Sequence, residues 1–400
     1  MSCLFVLFLS VVQPVFAEQQ NDPMANREVS LDKIVFQPSK GLSIVSDDGE
    51  FKMVTRFRAQ QLYTLEKSDE MSHSFQIRRA RVTFQGHVFG KENTYKFELA
   101  ISPRDIGLKS QSVSKSPLLD CYFQFNQIRD LNIRMGQYKV PYSRQRVVSS
   151  GDLQMVDRSI VNSEFNLDRD LGLDLRSKDF LGLKKMRYYA GIYMGEGHSS
   201  YENGDFGMMY LTRIEYLPLG FYQDYKEGDL EKNTTAKMSI GIAFAKIDEA
   251  KKDKGILGST PLDGGTTDTL NATADINMKY AGWSFDGAFF WREGERNTGS
   301  TTDETGVAIP EQPPRNGIGY SVQSGYIFPN TNVEFSSRYA QILPEDDKSS
   351  LSTSHEAGLG LSNYIGEHSL KIQSDFFRFW SDDGFSEGDN QFRVQVQLAY

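Results

Sequence analysis

The last nine residues, Phe392-Arg393-Val394-Gln395-Val396-Gln397-Leu398-Ala399-Tyr400, carry an apolar side chain at every second position. Successive side chains of a strand point to opposite faces, so this segment has one greasy face and one wet face, and no helical alternative. From Gly41 onward the same period recurs in segments of about ten residues separated by turn chemistry. Strands are expected near 50–66, 73–90, 93–103, 116–128, 130–140, 169–177, 184–195, 205–217, 234–247, 267–280, 282–293, 316–328, 330–341, 352–364, 366–380 and 388–400, with 41–46 pairing as a short extra piece. About sixteen strands, an even number, predict an all-β fold: a transmembrane antiparallel β-barrel whose closure pairs every backbone polar group.

The connections test this independently. Short links fall at Gly90-Lys91-Glu92, Ile128-Arg129-Asp130, Tyr280-Ala281-Gly282, Phe328-Pro329-Asn330 and Ile365-Gly366-Glu367. Between them lie long polar spans at 104–115, 141–168, 248–266, 294–315 and 342–351. Barrels of the outer membrane alternate short periplasmic turns with longer external loops, which puts both termini in the periplasm. One link departs from the alternation: 218–233, with Pro218 and an acidic run from Tyr225 to Glu231, is long where a short turn is due.

Composition agrees. Hydrophobic residues make up only 39% of the chain, yet there are 27 Phe and 19 Tyr, as expected for one apolar face bounded by aromatic girdles. After residue 17 no stretch approaches the roughly 18 apolar residues that a membrane-spanning helix needs. Leu4 to Val12 is nearly continuous apolar sequence, followed by Pro14 and Val15-Phe16-Ala17. Residues 1–17 therefore read as a signal peptide cleaved before Glu18, 18–40 as a periplasmic extension and 41–400 as the barrel. Cys3 leaves with that peptide, and Cys121, alone in the mature chain, has no intrachain partner. A formal net charge of −9 argues against a nucleic-acid partner. No cofactor or metal motif is present: the five histidines lie in no G-x-S-x-G or H-E-x-x-H context, so an enzyme is not expected.

Alternation also assigns faces. On 73–90, Ala80, Val82, Phe84 and Val88 should meet lipid, while Arg79, Arg81, Thr83 and Gln85 face inward. On 50–66, Met53, Phe57, Ala59, Tyr63 and Leu65 face out, leaving Lys52, Arg56, Arg58 and Gln60 inside. A charge on the lipid face costs ~2–4 kcal/mol at the midplane, which fixes the choice. Arg56, Arg58, Arg79 and Arg81 then form a cationic patch on one wall, with Arg134 and Arg393 also inward. Guanidinium forks match the oxygens of phosphate and stay charged at any relevant pH. The strand residues alone fit a general pore equally well.

The long loop 141–168 carries Arg144, Arg146 and Arg158 against Asp152, Asp157, Glu164 and Asp168. Leu153, Val156, Ile160 and Val161 recur at helical spacing behind Ser150, which predicts a short helix over 150–161 and a loop that folds inward to narrow the barrel.

Ile77-Arg78-Arg79-Ala80-Arg81, the run from Arg134 through Lys139 to Ser143, Asp157-Arg158-Ser159 and Arg169-Asp170-Leu171-Gly172 resemble the phosphate-selective porin family, porins O and P. The resemblance implies a sixteen-stranded homotrimeric barrel in outer-membrane lipid with an Arg- and Lys-lined constriction. It makes Arg79, Arg81, Arg134, Lys139, Arg144, Arg146, Arg158 and Arg169 candidates for contact with small anions such as phosphate. Passive diffusion of small hydrophilic solutes is the expected function. A non-selective general porin, an adhesin and an outer-membrane hydrolase are the alternatives; external loops rich in Gly, Thr and Asp would carry the adhesin reading.

Overall fold

The computed structural model describes residues 33–109, 112–113, 116–198 and 207–400; the expected signal peptide and residues 18–32 of the expected extension lie outside the described residues. Chain order runs β1 (Lys33–Gln37), β2 (Gly41–Val45), β3 (Lys52–Lys67), β4 (Met71–His87), β5 (Asn93–Ala100), a small pair β6 (Leu108–Lys109) and β7 (Ser112–Val113), β8 (Leu118–Phe125), β9 (Asn132–Lys139), β10 (Arg169–Ser177), β11 (Met186–Tyr193) and β12 (Met209–Tyr216). It continues through β13 (Lys237–Ala250), β14 (Thr266–Tyr280), β15 (Trp283–Asn297), β16 (Gly317–Ile327), β17 (Val333–Pro344), β18 (Ser354–His368), β19 (Leu370–Trp380) and β20 (Asp389–Ala399). One antiparallel sheet holds eighteen of these strands; β1 and β2 are a hairpin at the seam, and the other sixteen form the wall.

The wall closes where β20 pairs with β3, from Asn390 opposite Lys67 to Ala399 opposite Arg58. β3 is the longer strand, and its unpaired first turns are taken up by β2, from Leu42 opposite Thr55 to Val45 opposite Lys52. The terminal ring of Tyr400 sits between Phe57 and Phe36, with centroids 5.6 and 5.9 Å away.

Side chains alternate as the period of 2 requires. On β13, Ile242 and Phe244 are 48% and 60% exposed, while Ala243 and Ala245 between them and beyond are buried. Tyr216, Tyr280, Tyr326 and Phe328 lie exposed at the short-turn end, where an aromatic girdle is expected. Ala281 and Gly282, with φ of 51° and 86°, make the two-residue turn between β14 and β15, a conformation whose twist suits a hairpin. At the turn after β18 the expected link at 365–367 is displaced: a bulge between Tyr364 and Gly366 lets β18 continue to His368 before β19 begins at Leu370.

Loop 141–168 folds into the barrel, but not through the helix expected over 150–161. Two shorter helices flank that stretch: α1 (Arg144–Val147), capped by Ser143, and α2 (Ile160–Phe165), capped by Ser159 whose Oγ accepts from Asn162 N at 3.1 Å. Between them the backbone bonds to the wall. Gln154 N donates to Glu227 at 2.8 Å and Val156 N to Asp375 at 3.1 Å. Leu153 O accepts from Lys371 Nζ at 2.6 Å, Gln154 O from Gln373 at 2.9 Å and Asp157 O from Arg338 at 2.8 Å. Wall side chains thus satisfy the groups that a helix would have paired internally. The apolar spacing anchors the loop: Leu153, Val156 and Val161 are all fully buried.

The long link after β12 has a matching explanation. Residues 217–236 enter the barrel from the short-turn end and meet loop 141–168 inside, where Glu227 N donates to Asp152 O at 3.0 Å. Asp224, Glu227 and Asp229 are buried there.

Candidate pore constriction

The wall formed by β4, β9 and β10, with the connection after β5, faces loop 141–168 across a cavity of about 220 Å³. Among the described residues, eight cations line it: Arg78, Arg79, Arg81, Arg104, Lys139, Arg146, Arg158 and Arg169, with Asp105 as the acid. Two adjacent residues, Arg78 and Arg79, cannot both face inward on a regular strand. A bulge resolves this. Gln60 pairs with Arg79 but Gln61 pairs with Ile77, so Arg78 is an extra residue in β4 and turns toward the loop. Both guanidiniums then reach Asp157, Arg78 Nη2 at 2.7 Å and Arg79 Nη2 at 3.3 Å.

The cations divide by what accepts their protons. Arg81 meets Asp105 at 2.7 Å and Glu98 at 2.9 Å, Arg169 meets Asp120 at 2.6 Å, and Arg146 forks onto Asp168. Four others donate to neutral groups. Lys139 Nζ donates to the carbonyls of Arg146 and Val148 at 2.8 and 3.1 Å. Arg158 donates to the carbonyls of Gln145 and Val148, both at 2.6 Å. Arg104 donates to Gln76 Oε1 at 2.9 Å, and Arg58 to Ser149 and Ser150 Oγ at 2.8 and 3.1 Å. A neutral acceptor holds a cation in place without adding an opposing charge beside it. Burial, helped by Arg146 nearby, draws the Arg158 guanidinium down to about 9, which leaves it charged at neutral pH. Burial works against the charged form of Asp157 too, but Arg78, Arg79 and Arg393 outweigh it and hold this carboxyl below its ordinary range.

A second cavity of about 160 Å³ adjoins the first through Arg81, Lys139, Ser150 and Arg169, and adds Arg58, Lys96 and Arg134. Arg134 lies over the Tyr122 ring at 4.1 Å and donates to Gln124 Oε1 at 2.6 Å. Cations are thus stepped down one side of the lumen from Arg104 beyond β5 to Arg134 near the start of β9.

Seven of the ten residues singled out from the sequence, Arg79, Arg81, Lys139, Arg146, Arg158 and Arg169 with Arg58, gather around the two cavities, and Arg134 lines the second. Two lie elsewhere. Arg56 is exposed at the short-turn end and donates to Ser39 O at 2.7 Å. Arg144 is 3% exposed, paired with Asp224 and Asp275 at 2.8 Å each, on the far side of the loop. Sequence reasoning missed Arg78, although the signal was present: a charge doublet breaks the alternation, and a lipid-facing Arg costs enough to demand a bulge. Arg104 had no comparable signal, because it lies in a connection without periodicity.

The phosphate-selective porin O and P profile matches residues 51–400. The chain belongs to that family. An uncharacterized protein of Aquifex aeolicus (strain VF5) is 24% identical over 454 residues, covering 99% of each chain. Among solved structures, the anion-selective porin of Comamonas acidovorans is similar with a TM-score of 0.59 at 12% identity, over 87% of this chain and 99% of that one. OmpF of Salmonella typhi in complex with daunomycin gives 0.56 at 12% identity, over 88% and 98%. These likenesses show the fold. Family and closed sixteen-stranded barrel together make this chain an outer-membrane porin.

Proposed function

We propose that this porin passes small hydrophilic solutes by passive diffusion and favours phosphate-like anions. One observation carries the reading: Arg58, Arg104, Lys139 and Arg158 border the two cavities and, among the described residues, hydrogen-bond to neutral acceptors and form no ion pair. Such a site replaces part of an oxyanion's hydration with fixed donors, and the stepped arginines and lysines offer several weak sites in sequence, which permits release. The anion selectivity of the Comamonas porin is in keeping with this. The reading places the short-turn end and both termini in the periplasm, residues 1–17 as a cleaved signal peptide, 18–40 as a periplasmic extension, and three copies in the assembled porin.

A general porin is the second reading, favoured by the acids Asp105, Glu98, Asp120 and Asp168 beside the same cations. Planar-bilayer recording separates the two. Reversal potentials in a potassium chloride gradient should report anion preference, and inorganic phosphate should block the chloride current. A cation-preferring channel, or one indifferent to phosphate, would overturn the anion reading and leave the porin assignment standing.

A further inference from the structure

Asp157 sits where a solute oxyanion would. Its Oδ1 accepts from Arg78 Nη2 at 2.7 Å and Arg79 Nη2 at 3.3 Å, and its Oδ2 from Arg78 Nη2 at 2.9 Å and Arg393 Nη1 at 3.3 Å. The neighbouring acids are held differently. Asp105 takes Arg81 through two parallel bonds of 2.7 and 2.9 Å, the strong fork geometry, and Asp168 takes Arg146 the same way. Among the described residues, no guanidinium forks onto Asp157. Arg79 spends its other arm on Gln60 at 2.8 Å, Arg393 forks onto Asp375 at 2.8 and 2.9 Å, and Arg78 Nε is buried without a partner.

Two further observations bear on whether this carboxylate is fixed. The Asp157 side chain is 23% exposed, more than any of its three arginines. The loop around it is fastened through the backbone instead: Asp157 O to Arg338, and Val156 N to Asp375. The carboxylate can therefore swing away without releasing the loop.

We infer that Asp157 is a displaceable internal counter-ion, which keeps Arg78 and Arg79 set for an oxyanion and yields its place when a phosphate-like solute arrives. This rests on the anion-favouring reading above. A tethered acid competes at an effective concentration in the millimolar range, so it weakens solute binding and speeds release.

The test is a titration of chloride current with inorganic phosphate in planar bilayers, using the full-length mature porin, D157N and D157E. Removing a competitor at that effective concentration should lower the half-blocking phosphate concentration of D157N by about fivefold to tenfold and lengthen each block. D157E, which drives the charge deeper between the two arginines, should be blocked more weakly than wild type. It carries the test alone if D157N does not form a heat-modifiable barrel. Unchanged or weaker block in a folded D157N, or unchanged or tighter block in D157E, overturns the proposal and leaves Asp157 a mere fastener. A wild-type channel that phosphate does not block defeats the anion reading itself, an outcome visible before any variant is made.

Discussion

The two sides of loop 141–168 use the same residue type for opposite ends. Toward β12, β13 and β14, Arg144 is ringed by Asp224, Asp275 and Ser239, and residues 217–236 fill the remaining space. Arg213, Arg187 and Glu215 extend that network until nearly every charge in it faces an opposite one. Toward β3, β4 and β9, Arg158 and Lys139 reach carbonyl oxygens, and a cavity remains. A carboxylate partner turns an arginine into a fastener, whereas a neutral acceptor leaves it as a source of field. Identity of the side chain decides neither role; the acceptor does.

The paired side should break hardest. R144A takes one cation from a buried network in which Arg187 and Arg213 still face Asp224, Asp275 and Glu215, so its cost lies at the lower end of the about 3–5 kcal/mol for removing one buried partner. The temperature at which the folded band converts to the unfolded one on gels should fall steeply. Channels that still insert should keep their anion preference while their conductance becomes larger and noisier, because the loop has lost its anchor. Loss of selectivity equal to the loss of stability would contradict the division drawn between the two sides.

The open side should behave inversely. K139Q combined with R158Q removes two basic groups that donate to neutral acceptors and leaves neutral side chains able to hydrogen-bond. Reversal potentials should show the anion-to-cation permeability ratio reduced several-fold, with the gel conversion temperature falling less than in R144A. Each of these bonds has a charged donor and contributes about 1.5–3 kcal/mol, of which the glutamine amides keep a part by donating to the same carbonyls. A smaller effect comes from salt alone. Screening shortens from about 10 Å at 0.1 M to about 3 Å at 1 M, so anion preference should weaken over that range in the wild-type channel. The conversion temperature should not follow, since the network around Arg144 is buried from the electrolyte.

What the sequence makes legible follows from which rules are local. Alternation is a local rule, so strand number, faces and the inward position of Arg79, Arg81, Arg134 and Arg393 could be read directly. The seam was legible only in part: 41–46 reads as a short extra piece, but its partner β1 lies inside the stretch read as the extension. Loop 150–158 was not: its apolar spacing suits a helix, and only the wall's Lys371, Gln373 and Asp375 explain why it forms turns and bends instead. The different roles of Arg144 and Arg158 were equally invisible. Both are arginines in one loop, and the carboxylates that separate them come from residues 224 and 275, brought near by barrel closure.

Arg56 supplies the finest test, because period and position put it in one patch with Arg58, Arg79 and Arg81. It shares their face of β3, but β3 runs past the end of β20, and Arg56 lies in the stretch covered by β2. There it donates to Ser39 O in the turn of the β1–β2 hairpin, exposed to solvent and apart from both cavities. R56A should therefore leave phosphate block and permeability ratio at wild-type values, while R58A, two residues along the same strand, should lower both. The loss in R56A should appear only as faster cleavage or hydrogen exchange in the hairpin, since one solvent-exposed bond is worth about 1 kcal/mol or less. If R56A and R58A weaken anion preference alike, the field is set by the whole wall, and the distinction between paired and neutral-bonded cations loses its force.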